Sequence, residues 1–395
     1  MLLIIALTEV CRQVQHNKMD VDKTQSSIVV QVSEHGFEGY AAKNVDFANR
    51  YIANLNIPDI HVDVANVKIS FKDIKIANAE FPRPELSFHR SLNAIQGLLQ
   101  KINFKLQMQY ELKQQTYPYL EDSGPGSLSL QDVDISLYLK GNFSETCKYH
   151  LQISADQFKM TVGKLMFKID SKLSFLIESL VNIITKQIIQ MVNNEMQQAF
   201  RAVFTDLANN LLLNSTTLAF AESEEQAFMT DQRWTHIEMF DKYFEVHSVG
   251  QLCYSDRYLV CEGFIDKENK KRNEFKTNDG FNYFLGVNAL KSFFILQNQT
   301  QHCDCSFVHQ GVLVTCQENV NLFKLKLEPF QYDKTTYLIK FVLQFDKVIK
   351  GVEIKDVERI SREAGLVYNN ANFVDLENCR QFYYDEEWMV SSCNM

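Results

Sequence analysis

Glycine and proline are scarce, 14 and 6 among 395 residues. That excludes collagen-like, linker-rich and low-complexity chains. No run of Lys and Arg is longer than Lys270-Lys271-Arg272, and the net charge is −9. A nucleic-acid binder needs a basic face to collect phosphates, so nucleic acid is excluded as a partner class. No stretch approaches the ~20 uninterrupted apolar residues of a membrane span. There is no G-x-S-x-G elbow, no H-E-x-x-H and no phosphate loop, and the nine His are scattered. The chain is read as a non-enzyme, with no catalytic residue and no cofactor.

Apolar residues are plentiful instead. They make up 46% of the chain, with 29 Phe, against 23% charged. That is enough to fill cores, and at roughly 150 residues per domain the length suits two or three of them. Charge is uneven: residues 1–220 hold 21 Lys and Arg against 22 Asp and Glu, and the rest 19 against 27. Met1 to Leu7 is apolar but short, and reads as a cropped signal peptide.

The nine cysteines suggest an oxidising compartment. Cys253 and Cys261 flank a Ser255-Asp256-Arg257 turn. Cys305 and Cys316 flank Gln310-Gly311, and counting outward from that turn sets them opposite each other. Cross-strand neighbours lie within disulfide reach. Cys379 and Cys393 make a third candidate pair. Three sequons, at Asn142, Asn214 and Asn298, fit secretion. His302, Cys303, Asp304 and Cys305, with His309 and Cys316, include zinc-type ligands, but no CxxC pair is present, and no metal is assigned.

Residues 28–32 read as a strand and Ser33 as an N-cap. Phe37, Tyr40, Ala41, Val45, Ile52 and Leu55 then follow at helical spacing, up to Pro58. From Ile60 to Lys113 the period is two, which predicts antiparallel strands with one apolar face. Ser123-Gly-Pro-Gly126 reads as a sharp turn. Strands continue through Leu128 to Leu139 and from Leu151 to Val162. Residues 171–204 read as one helix roughly 50 Å long. It is apolar on most sides, at Leu173, Phe175, Leu176, Ile177, Leu180, Ile183, Ile184 and Ile188 among others, so it needs enclosure on most sides. Further on, Ile237 to Leu252 reads as strand, 262–280 as a charged loop, Tyr283 to Phe294 as helical, then two hairpins and a strand from Tyr337 to Ile354. The fold class is α+β.

Four segments in register resemble a known family. They are Val29-Val-Gln-Val-Ser-Glu-His-Gly-Phe-Glu-Gly-Tyr-Ala41 with Leu55-Asn-Ile-Pro-Asp59; Ile74-Lys-Ile-Ala-Asn-Ala-Glu-Phe-Pro82; Ser123-Gly-Pro-Gly-Ser-Leu-Ser-Leu130 with Val133-Asp-Ile-Ser136; and the helix from Lys172. Together they resemble the lipid-binding serum glycoproteins, which include bactericidal/permeability-increasing protein, lipopolysaccharide-binding protein and the phospholipid and cholesteryl ester transfer proteins. The resemblance covers residues 28–204 and is weaker over 234–300, at Tyr243-Phe-Glu-Val246 and Tyr283-Phe-Leu-Gly286.

The resemblance implies two tandem BPI-like (TULIP) domains. Each would be a highly curved antiparallel sheet around a long helix, joined by a central sheet. The expected layout is a leader at 1–25, an N-terminal lipid-binding domain at 26–210, a connector at 211–233 and a shorter C-terminal domain at 234–395. It also implies an apolar tunnel. Phe37, Tyr40, Ala41, Val45 and Ile52 from the first helix would line it, with Phe175, Leu176, Leu180, Ile183, Ile184 and Ile188 from the second. By composition alone the same residues would fill a dry core. Two departures stand out. Cys147 has no Cys partner in Met196-Gln-Gln-Ala-Phe200, where the family staples sheet to helix. The cationic tip of the endotoxin-binding members is reduced to Arg83, Arg90, Lys101 and Lys105, within a balance of only +2 over residues 59–113. The expected function is secreted or lumenal carriage or transfer of phospholipid or another acyl lipid, with transient docking on a membrane or micelle. The alternatives are lipopolysaccharide recognition and, in another class, a structural or adhesive secreted protein without lipid.

Overall fold

A computed structural model describes residues 22–43, 59–64, 66–80, 82, 84–143, 149–169, 186, 218–221, 228–255, 261–262, 268–275, 280–298, 303–309, 311–317, 319–331, 337–350, 365–368 and 379–394. The chain divides into two compact units, one made of residues 1–39, 141–152 and 209–395 and the other of 40–140 and 153–208.

The chain enters through β1 (Ile28–Ser33) and α1 (Glu34–Lys43). Ser33 caps the helix as the sequence predicts, its Oγ accepting from Gly36 N at 3.0 Å.

One sheet follows, with β2 (Ile60–Val64), β3 (Val67–Glu80), β5 (Ala94–Gln114), β6 (Glu121–Phe143) and β7 (Leu151–Ile169) side by side, and β4 (Glu85–His89) paired to β5. The expected period of two is present, and alternate residues of β5 from Ile102 to Leu112 are buried. The strands are long, 21 residues in β5 and 23 in β6. Bulges bend them. Asp73, Lys101 and Asp132 all have positive φ, and Lys101 N donates to Asp134 Oδ1 at 3.0 Å. Gly163 passes so close to the Asp132 bulge that a Cβ would stand 2.9 Å from the Asp132 Cβ.

The expected turn at Ser123 to Gly126 is instead part of β6, where Gly124 lies opposite Tyr110 and Pro125 opposite Gln109. A Cβ on Gly124 would come 3.3 Å from the Tyr110 ring, so the small residue serves packing and not reversal. The reversal is at residues 115–120.

The remaining strands are β8 (Leu218–Ala221), β9 (Phe228–Asp231), β10 (Trp234–Met239), β11 (Tyr243–Ser248), β12 (Gln251–Ser255) and β13 (Cys261–Glu262). Then come β14 (Phe281–Gly286), helix α2 (Val287–Asn298), β15 (Cys303–Val308), β16 (Gly311–Cys316), β17 (Asn319–Gln331), β18 (Tyr337–Lys350), β19 (Gly365–Tyr368), β20 (Arg380–Tyr383) and β21 (Trp388–Cys393). The expected single strand over 237–252 is thus a hairpin entering a third strand. The expected helix from Tyr283 starts only at Val287. Tyr283, Phe284 and Leu285 stand in a strand, buried on both faces, which a periodicity of either kind conceals.

These elements form three antiparallel sheets, in the orders β10-β11-β1-β14-β21-β20, β13-β12-β9-β8 and β15-β16-β17-β18-β19. On one face of the six-stranded sheet, Ile28, Val30, Val32, Tyr283 and Met389 pack with Phe293 and Phe294 of α2 and with Phe307, Phe323 and Phe341 of the five-stranded sheet.

Disulfides join Cys303 to Cys316 and Cys379 to Cys393. The second is the expected pair. The first corrects Cys305–Cys316. Gly311 opens β16 opposite Val308, not opposite Gln310 in a turn, so Cys305 faces Val314 and Cys303 faces Cys316. Only glycine fits at 311, where φ is +149 and a Cβ would lie 1.7 Å from Phe323 O. Cys305 is a free thiol, and burial pushes its pKa far up, which makes it unreactive. Cys261 pairs with Ser255 and Cys253 with Met229, so these two are not directly opposed. Their thiols, and Cys147, lie outside the described side chains.

Candidate functional site

In the unit built on residues 40–140 and 153–208, one sheet face is an unbroken apolar wall. Strand β3 contributes Ile69, Phe71 and Ile76, β5 contributes Ile102, Phe104, Leu106, Met108 and Leu112, and β6 contributes Leu128, Leu130, Val133 and Ile135. All are at most 6% exposed. Tyr110 is the exception in chemistry, and its hydroxyl is satisfied by Asp122 Oδ2 at 3.1 Å. The wall follows from the strict period-two pattern on long strands. These residues, more than the helix positions, are the described apolar surface of this unit.

Of the expected tunnel residues, Phe37 is described in full. It belongs to the unit that holds residues 1–39 and 209–395, where it is half-buried and meets Phe244 of the same unit edge-on at 5.9 Å. Tyr40 and Ala41 lie in α1. Val45, Ile52, Phe175, Leu176, Leu180, Ile183, Ile184 and Ile188 lie outside the described residues.

The basic residues are not gathered at one tip. Arg83 lies outside the described residues. Arg90 sits on a 3-10 turn just before β5, and Lys101 on its bulge. Lys105 faces outward and lines a groove of about 920 Å³ with Lys75, Lys168 and Asp73. What the reversal between β5 and β6 presents is aromatic: Tyr117 and Tyr119 are 86% and 74% exposed. Two tyrosines beside a proline, Tyr117-Pro118-Tyr119, are the sequence signal for that tip. Of the sequons, Asn142 is exposed near the end of β6, Asn298 ends α2, and Asn214 is outside the described residues.

The second face of the six-stranded sheet carries a buried polar network that sequence reading missed. Arg272 Nη2 donates to Glu245 Oε1 at 2.5 Å, Gln31 Nε2 donates to Glu245 Oε1 at 3.3 Å, and Asn282 Nδ2 donates to Gln31 Oε1 at 2.5 Å. Ser392 Oγ completes the chain by donating to Asn282 Oδ1. The Arg272 guanidinium lies 3.7 Å over the Phe284 ring. Its members are far apart in sequence, so no local motif announces them.

His236 and His247 meet edge-on at 5.5 Å beside this network. Burial pushes both below the ordinary imidazole value of 6.5; the Lys23 charge adds to this for His236, and burial outweighs Glu245 for His247. Burial also opposes the charge on Glu245, but His247 and Arg272 together hold its carboxyl below 4.5. The unfolded chain therefore takes up protons near pH 6.5 that the folded chain refuses. Stability from the two His is present above 6.5 and is lost as pH falls below it, and Glu245 adds a further loss below 4.5. The thermal midpoint is expected to hold between pH 8 and 7 and to fall from 6.5 downward. A midpoint that rose between pH 7 and 5.5 would contradict this.

Residues 24–219 match the family described as haemolymph juvenile hormone binding protein. No curated protein matches the sequence. Among solved structures, the chain is similar to lipopolysaccharide binding protein, with a TM-score of 0.65 at 11% identity, covering 95% of this chain and 99% of that one. Takeout 1 of Epiphyas postvittana aligns over 46% of this chain and 91% of its own at 12% identity, with a TM-score of 0.32. Latherin aligns over 50% and 89% at 14% identity, with a TM-score of 0.22. The long bulged sheet and the match across nearly the whole of lipopolysaccharide binding protein are one fold, the TULIP fold.

Proposed function

We propose that this protein is a secreted carrier that holds an acyl lipid, or a ligand equally apolar, against the wall of β3, β5 and β6. The observation that carries this is the wall itself: twelve apolar side chains from three strands with almost no polar atom among them. It occurs in a chain whose residues 24–219 match a family named for binding juvenile hormone, and whose fold is that of a protein named for binding lipopolysaccharide. The disulfides support an oxidising compartment. The mechanism is physical. Each buried CH₂ contributes ~0.8 kcal/mol, so affinity grows with the length of contact and no bond is made or broken. Tyr117 and Tyr119 suit brief docking, since a tyrosine places an apolar ring and a polar hydroxyl at the level of lipid headgroups.

The test is transfer of a fluorescent phospholipid between phosphatidylcholine vesicles. Wild type is expected to accelerate it. The double variant Tyr117→Ser, Tyr119→Ser is expected to slow it several-fold while still holding lipid at equilibrium. No acceleration by wild type would refute transfer. A second reading, recognition of bacterial envelope lipid, is favoured by the groove of Lys75, Lys105 and Lys168. It predicts capture of lipopolysaccharide that weakens steeply with salt. A structural or adhesive protein predicts no lipid at all.

A further inference from the structure

The outer face of the long sheet, opposite the apolar wall, carries an open trough, and the sequence of β6 explains it. Side chains alternate along a strand. The outward positions of β6 here are Ser123, Pro125, Ser127 and Ser129, all short. The strands on either side carry long side chains. Gln107 of β5 lies opposite Ser127 and Lys105 opposite Ser129, while Lys75 of β3 lies opposite Gln107. Lys168 of β7 borders the trough on its other side. The result is a groove of about 920 Å³ over a floor of small uncharged residues. Three strand spacings separate Lys75 from Lys168, roughly 14 Å at the backbone.

The charge at this groove is unspent. Elsewhere on the same sheet lysines are paired, Lys72 with Glu111 at 2.8 Å, Lys113 with Glu121 at 3.7 Å and Lys140 with Asp156 at 2.8 Å. Lys75, Lys105 and Lys168 have no ion-pair partner among the described residues. They share the lining with a single carboxylate, Asp73. The lining is therefore cationic, and an anion placed in it gains attraction that no ion pair of the protein already uses.

An apolar group stands beside the lysines. Lys164, Met166 and Lys168 alternate on β7 and are all exposed, Met166 by 52%. A large apolar side chain held out between two ammonium groups suits the boundary between lipid headgroups and acyl chains. The thioether can enter that boundary while the ammonium groups stay with the phosphates. A soluble polyanion would use the lysines and leave Met166 without a role.

We propose that this face docks on an anionic lipid bilayer, with a headgroup phosphate in the trough among Lys75, Lys105 and Lys168 and with Met166 entering the headgroup boundary. The proposal rests on the docking step of the carriage described above and adds to it a preference for acidic phospholipid. Vesicle binding is read whether or not lipid is transferred, so failure of transfer and failure of docking are separate results.

The experiment is flotation of the full chain with phosphatidylcholine vesicles, with and without phosphatidylglycerol, at low and raised salt. Phosphatidylglycerol is expected to strengthen binding and salt to weaken it. Lys75→Gln, Lys105→Gln and Lys168→Gln should each lower affinity for the anionic vesicles about fivefold, and together about a hundredfold. Met166→Ser should lower it several-fold. Lys326→Gln, at an exposed lysine of the five-stranded sheet, should leave it unchanged. The double variant Tyr117→Ser, Tyr119→Ser should keep the preference for phosphatidylglycerol, because these charges remain. The thermal midpoint of each variant checks that it folds. Equal binding to both vesicles, a preference that survives the folded triple lysine variant, or a loss with Lys326→Gln as large as with Lys105→Gln would overturn the proposal. Capture of heparin or of dispersed lipopolysaccharide without binding of the anionic vesicles would overturn it too, the second while leaving the envelope-lipid reading in place.

Discussion

Asp231→Ala is expected to destabilise the protein by about 3–5 kcal/mol, the scale of a buried ion pair broken from one side. Asp231 and Arg233 have side chains 1% and 4% exposed, and their contact is bidentate: Arg233 Nη2 donates to Asp231 Oδ2 at 2.7 Å and Nε to Asp231 Oδ1 at 3.1 Å. The Asp231 carboxylate also accepts from Arg233 N at 3.0 Å, and the guanidinium lies 5.1 Å from the centre of the Tyr149 ring. Removing the carboxylate leaves a guanidinium buried without its charge partner. Removing both charges, as Asp231→Leu with Arg233→Met, should cost far less, because no orphan charge remains. Denaturant unfolding of the unit holding residues 209–395 measures both. A single variant no worse than the double would show that the pair contributes nothing through its charge.

Phe104→Ala is expected to cost about 3–5 kcal/mol in the other unit, through lost transfer energy and the cavity left behind. Phe104 is 1% exposed in the middle of β5, between Ile102 and Leu106, which are 0% exposed. Lys105, its exposed neighbour, points to the opposite face, and Lys105→Ala should change stability by under ~0.5 kcal/mol. The contrast between adjacent residues tests the alternation directly. Equal effects would mean that β5 does not bury one face.

Much of this fold is legible in the sequence, because the long strands of residues 60–169 repeat one rule many times. A bulge at Asp73 or Lys101 resets the phase without hiding it. The Ser33 cap is legible for the same local reason: its signal and its hydrogen bond lie three residues apart. Turns were harder to place. Gly124 to Gly126 carries turn residues, yet its glycines make room for a neighbouring ring. The sequence offers Gly311 as half of a turn, but it opens β16 opposite Val308, which sets Cys303 and not Cys305 against Cys316. The buried polar network was not legible at all. Gln31, Glu245, Arg272 and Asn282 meet only through the order of strands in the six-stranded sheet, and nothing in their local sequence marks them.

The most direct test of lipid carriage is native mass spectrometry of the purified protein, followed by organic extraction of what it holds. One or two acyl lipids per chain, lost on extraction and regained from vesicles, is the predicted result. A lipid-free mass that stays unchanged after incubation with vesicles would contradict it and leave the apolar wall as an ordinary core.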